Sequence, residues 1–168
     1  IAKLADRYGL NFITVDIDIN ATARAGKILQ KINKVFMAVN DFGEKYLHEF
    51  AGPIRLLYLD AFDIPGDWHS EKVIESYRDR NLQITLENCH RMHYECAVSI
   101  ASKMPAGGFV CFDDVNPVDD LGNLIFDRVS PNYRKWSGKG ATAIPFLIEN
   151  GFEVIDNRRA CALLKKIK

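Results

Sequence analysis

The feature that most constrains this chain is a series of short, β-branched apolar runs, each passing directly into carboxylates and then into a helix-forming segment. Asn11-Phe-Ile-Thr-Val-Asp-Ile-Asp18 turns acidic at its end, as a buried parallel strand does where it leaves a sheet. Lys34 to Val39 leads into Asn40-Asp41, Ile54 to Leu59 into Asp60-Ala-Phe-Asp63, and Phe109 to Phe112 into Asp113-Asp114. Between these runs lie helical patterns. Residues 21–32 follow Asn20, placed to cap, and carry Ala21, Ala25, Ile28, Leu29 and Ile32 on one face. Residues 42–50 and 87–103 also read as helices, the latter stopped by Pro105 and Gly107-Gly108. Such alternation predicts an α/β domain with a mostly parallel sheet.

The C-terminal end departs from that rule. The runs at 152–155 and 160–164 are separated only by Asp156, Asn157, Arg158 and Arg159, too short a link for a crossover helix. They must form an antiparallel hairpin. Two stretches lack clear periodicity: residues 64–86, with Pro65, Gly66 and Trp68, read as a lid or insertion with a helical piece at 71–80, and residues 116–140 read as irregular. The whole of 1–168 is expected to be one domain.

Lysine and arginine balance aspartate and glutamate at 22 each, so no bulk positive field draws in nucleic acid or an anionic membrane. The expected partner is a small molecule, with no nucleic acid and no membrane. A homo-oligomer is compatible with the sequence. The longest apolar stretches are of strand length, far below the ~20 residues of a membrane-spanning helix. Cys89, Cys96, Cys111 and Cys161 lack zinc-ribbon spacing and read as reduced thiols of a cytoplasmic protein. Ile1 to Tyr8 reads as the last turns of a helix closed by Gly9, which predicts that further sequence precedes it.

In open α/β sheets ligands bind beyond the carboxyl ends of the strands, which is where the acidic residues fall. The succession Thr14-Val-Asp-Ile-Asp18, Val39-Asn-Asp41, Leu57-Tyr-Leu-Asp60 and Pro105-Ala-Gly-Gly-Phe-Val-Cys-Phe-Asp-Asp114, followed by a terminal hairpin, resembles a class I S-adenosylmethionine-dependent methyltransferase. Gly107-Gly108 leading through a strand into Asp113-Asp114, after His93-Tyr94-Glu95 on a helix, is similar to metal-dependent small-molecule O-methyltransferases of the macrocin or sugar and catechol types. The resemblance implies a Rossmann-like sheet and a Mg²⁺-assisted methyl transfer to a hydroxyl.

It also implies roles. Asp16, with Asp18 in reserve, offers two acceptors to the ribose diol of the cofactor. Asp41, with Asn40, faces the adenine amino group. Asp60, Asp113 and Asp114 supply hard oxygen ligands suited to Mg²⁺, with Asp63 able to replace Asp60. His93 or His90 is a candidate general base. The family's first strand and glycine-rich loop are missing from the sequence, which departs from the pattern where the methionine end of the cofactor is held.

Other readings compete. Cys89, His93 and Cys96 lie on one helical stripe and could hold zinc, but such a stripe is more often the face packed on a sheet. Trp68, Trp136 and Tyr133 could wall an acceptor site or anchor loops to the core. A non-catalytic methyltransferase-like module is the alternative function. A nucleotide-linked oxidoreductase is disfavoured by the terminal hairpin.

Overall fold

The computed structural model describes residues 1–168 and divides into two compact units, Ile1–Tyr46 and Leu47–Lys168. The first contains α1 (Ala2–Arg7), β1 (Ile13–Asp16), α2 (Ile19–Ile32) and β2 (Met37–Asn40). The division falls inside α3 (Gly43–Glu49). β1 and β2 pair in parallel, from Ile13 opposite Met37 to Asp16 opposite Asn40, with α2 as the connection. Ala5, Leu29 and Phe36 form a small buried core, and the Phe12 and Phe36 rings meet at 5.7 Å.

The start of α2 corrects the sequence reading. The helix begins at Ile19, and Asp18, not Asn20, is the cap: its Oδ1 accepts from Asn20 N at 2.7 Å and Ala21 N at 3.1 Å. Asp18 has the extended backbone a capping residue needs, and a carboxylate there also faces the positive end of the helix. Inward positions are Thr22 and Leu29, seven apart, which leaves Ile28 at 60% exposure. The buried Thr22 hydroxyl is satisfied by donating to the carbonyl of Asp18 at 2.9 Å.

The second unit holds β3 (Leu56–Leu59), α4 (Glu71–Arg78), α5 (Leu86–Lys103), β4 (Phe109–Phe112), β5 (Val115–Pro117), β6 (Trp136–Gly138), α6 (Ala143–Glu149), β7 (Phe152–Arg158) and β8 (Cys161–Lys166). Its sheet runs β3-β4-β8-β7, with β3 parallel to β4 and the β7–β8 hairpin antiparallel. The expected terminal hairpin is present, and it places β8 rather than β7 beside β4. Arg159 and Ala160 form its two-residue turn with φ of 55° and 56°, the left-handed pair that a tight hairpin demands.

Alternation fixes which face of this sheet is buried. Val110 and Phe112 of β4 stand opposite Leu164 and Ala162 of β8, and all four are inaccessible to solvent. Cys96, Ala97 and Ile100 of α5, with Ile144 and Leu147 of α6, complete that core. The strands therefore fall into three sheets: the β1–β2 pair, the four-stranded mixed sheet, and a β5–β6 ribbon. The ribbon lies in a stretch whose sequence reads as irregular. Three-residue strands containing Pro117, Ser137 and Gly138 carry no visible period of two. No helix is long and apolar enough to cross a membrane.

Candidate active site

Asp60 follows β3 and Asp113-Asp114 follow β4, so the parallel pairing sets them level, and Asp113 N donates to the Leu59 carbonyl at 3.0 Å. A residue absent from the sequence expectations then organises them. The Lys139 side chain, 4% exposed, reaches Asp60 Oδ1 at 2.8 Å and Asp114 Oδ2 at 2.9 Å. The two carboxylates are themselves about half exposed, at 51% and 56%. Burial pulls the lysine pKa down, but the two carboxylates more than offset it and leave it above its ordinary value.

The lysine is seated by its neighbours. Gly138 has φ of 76°, and a Cβ there would stand 2.0 Å from the Asp114 carbonyl oxygen. A Cβ on Gly140 would meet Ile144 at 2.6 Å and Val115 at 2.9 Å. Gly138-Lys139-Gly140 is thus a turn pressed against the acidic turn, with Lys139 N donating to Asp114 O at 3.1 Å. Asp114 itself adopts φ of 52°, a left-handed conformation of the kind that clusters at functional sites.

Asp113 points elsewhere. Its Oδ2 accepts from the Tyr58 hydroxyl at 2.5 Å, and its Oδ1 accepts from the Cys161 thiol at 3.2 Å and from Asp114 N at 2.9 Å. The Tyr58 hydrogen bond leads in holding the Asp113 carboxyl below the usual carboxylate range. The same bond, with burial, raises the Tyr58 phenol, and burial together with Asp113 pushes the Cys161 thiol up to about 11.

These residues do not fit the divalent cation implied by the resemblance. Asp60 and Asp114 each direct an oxygen at an ammonium, and Asp113 is occupied by neutral donors. No group of three or more His, Cys, Asp or Glu side chains converges in the geometry a metal requires. Asp63, the possible substitute ligand, has its backbone N–H donating to the Tyr77 hydroxyl at 2.8 Å.

The histidines serve the frame around this cluster. His93 on α5 is fully buried, and its Nδ1 lies 2.8 Å from the Cys89 carbonyl, so that nitrogen carries the proton. Burial pushes its pKa down to about 4, leaving a neutral ring whose Nε2 has no hydrogen-bond partner. His90 Nε2 donates to the Gly138 carbonyl at 3.0 Å and so braces the glycine–lysine turn. Cys89 and Cys96 are buried on the same stripe, with Cys96 Sγ 3.6 Å from Met92 Sδ, the packed-face arrangement.

The aromatic residues divide. Trp136 is buried and donates Nε1–H to the Tyr133 carbonyl at 2.8 Å, while the Tyr133 hydroxyl donates to Val118 O, so both anchor the loop. Trp68 is 71% exposed and lies over Gly66. The segment read as a lid borders an open cleft of about 440 Å³ lined by Gly66, His69, Ile74, Tyr77, Arg78 and Leu82, within the size range of small-molecule sites.

In the first unit, Asp16 Oδ1 accepts from Asp18 N at 2.7 Å, while no protein donor reaches its Oδ2. The Asn40 amide donates to the carbonyls of Asp16 at 2.9 Å and Ile17 at 2.8 Å, which locks the exit of β1. Asp41 accepts from Phe42 N at 2.9 Å and pairs with Lys45 at 3.0 Å, and these contacts, the lysine first, lower its pKa. A vicinal diol fits the exposed, half-committed Asp16 carboxylate. Asp18 is already committed as the helix cap.

No protein-family model matches the chain, and no curated protein sequence does. Solved structures do match its fold. One, from Clostridium thermocellum and named provisionally as an rRNA methylase, is 13% identical over 92% of this chain and 74% of its own, with a TM-score of 0.50. An rRNA methylase from Streptococcus thermophilus gives a TM-score of 0.47 at 12% identity, over 93% of this chain and 75% of its own. TrmN from Thermus thermophilus gives 0.49 at 13% identity, over 99% of this chain but 40% of its own. The likeness to the Clostridium structure is one of fold alone, an α/β fold with a mixed sheet that resembles a methylase. The exclusion of nucleic acid from balanced charge is overturned: a fold shared with a protein named for rRNA methylation gives no ground for it. Net charge sums the whole chain, whereas recognition depends on local patches.

Proposed function

We propose that the protein is an S-adenosylmethionine-dependent methyltransferase whose acceptor is a hydroxyl group on a small molecule. The observation that carries this reading is the β3-β4-β8-β7 order, with carboxylates at the adjoining ends of β3 and β4, in a chain whose fold matches a methylase over 92% of its length. The cofactor, when bound, supplies an electrophilic methyl group. Asp16 receives the ribose hydroxyls, Asn40 holds the β1 exit in place, and Asp41 accepts from the adenine amino group. Asp60 and Asp114 each have one carboxylate oxygen directed at Lys139 and a half-exposed side chain. Their other oxygens accept the hydrogen bond, and then the proton, of the acceptor hydroxyl. His93 is too deeply buried to share that task, and His90 braces the turn beneath it.

A second reading, with RNA as acceptor, is favoured by the name of the Clostridium structure. Transfer of labelled methyl from S-adenosylmethionine, tried on hydroxylated sugars and catechols beside total RNA, separates the two. Label on a small molecule that falls roughly a hundred-fold in Asp60→Asn supports the main reading. Label on RNA alone would establish the second. Cofactor binding with no transfer to either class would leave a non-catalytic module.

A further inference from the structure

We propose that Lys139 occupies the position a divalent cation would take, clamping Asp60 and Asp114 so that the acceptor meets these carboxylates directly and no metal binds between them. The geometry points this way on several independent observations. The ammonium is within 3 Å of one oxygen from each carboxylate, and those residues come from the ends of two adjacent parallel strands. Mg²⁺ would need such oxygens at about 2.0–2.1 Å in octahedral array, and it cannot share them with a fixed positive charge at the same spot. The lysine is not a passing surface side chain that could swing away: its side chain is 4% exposed and set in a turn. Glycines on both sides permit approaches that a Cβ would block. His90 holds the same turn from α5. Removing the ammonium would leave the carboxylate oxygens facing an open position.

Two carboxylates and one ammonium leave the clamp with one net negative charge. Such a surface favours an acceptor that brings a hydrogen-bond donor, a hydroxyl or an amine, and disfavours a phosphate at the reacting position. Lys139 is a positioning residue here, because it acts through Asp60 and Asp114. The role given to the acceptor rests on the methyltransferase reading; the exclusion of metal rests on the ion pairs alone.

Mn²⁺ titration of the whole protein, followed by the electron paramagnetic resonance signal of the free ion, tests the clamp without any substrate. The wild type and Lys139→Arg should leave the signal undiminished at millimolar metal. Lys139→Ala should take up one equivalent, and adding Asp114→Asn to it should abolish that uptake. Stoichiometric Mn²⁺ binding by the wild type, lost in Asp114→Asn, overturns the proposal. So does a folded Lys139→Ala protein that takes up none. Should that variant fail to fold, ¹H–¹⁵N spectra of the wild-type lysine ammonium groups decide. A protected Lys139 resonance unmoved by millimolar Mg²⁺ supports the clamp, and its displacement by Mg²⁺ sinks it. None of these outcomes depends on S-adenosylmethionine, so a failed clamp and a failed methyltransferase reading give different results.

Discussion

At the scale of single residues, His93 is the clearest source of pH dependence. Its ring is neutral and its pKa is pushed from 6.5 down to about 4 by burial. Between those values the unfolded chain binds a proton that the folded chain refuses, so stability is lost as pH falls from 6.5 towards 4. The loss should be on the order of 3 kcal/mol. Urea denaturation across this range should show the fall in the wild type and a much flatter profile in His93→Phe. Asp113 acts in the same direction at lower pH, since a depressed carboxyl contributes stability that is lost as pH drops below its ordinary 3.8. Asp113→Ala, which strands the Tyr58 and Cys161 donors, should cost about 1–2 kcal/mol at neutral pH. The sequence made Asp60, Asp113 and Asp114 visible, because carboxylates after apolar runs mark strand exits. Lys139 was not legible, since a lysine between glycines reads as a solvated loop and only three-dimensional pairing shows it buried.

Among the elements, the two ends of the first βα turn have separable jobs. Asp18 caps α2 through Asn20 and Ala21, so Asp18→Ala should lower stability by about 1 kcal/mol. Asp16 caps no helix and holds only the Asp18 N–H, at an exposed position, so Asp16→Ala should lower stability by less than about 1 kcal/mol while weakening cofactor binding. At the other end of the chain, Ala160 in the β7–β8 turn bears a Cβ at φ of 56°. Ala160→Gly should raise stability by about 1 kcal/mol, read from the urea midpoint. The main strands were recognisable as dense β-branched and aromatic runs. The β5–β6 ribbon was not, because its strands are three residues long and held by pairing partners 19 to 23 residues apart. The α2 stripe was legible in large part, with Leu29 buried and Ile32 packed against the same core, while Ile28 at its margin faces outward.

For the whole molecule, the two units differ in what sustains them. The first has Ala5, Leu29 and Phe36 as its buried apolar core, whereas the second has a continuous core through β4, β8, α5 and α6. Amide hydrogen exchange should therefore be slowest at Val110, Phe112, Leu164 and along α5, and faster throughout residues 1–46. Balanced composition proved a poor guide to partners, because a sum over 168 residues is blind to how charges are arranged. The α/β class and terminal hairpin were legible from alternation and from the short link between the last strands. The division into three sheets was not, since pairing between strands is a long-range choice that local pattern leaves open. The central claim is that the protein takes S-adenosylmethionine through the end of β1. Calorimetric titration with S-adenosylmethionine tests it most directly: the account predicts one saturable site in the wild type and in Asp18→Ala, weakened roughly ten-fold or more in Asp16→Ala. An absence of heat in the wild type, or affinity indifferent to Asp16, would contradict it.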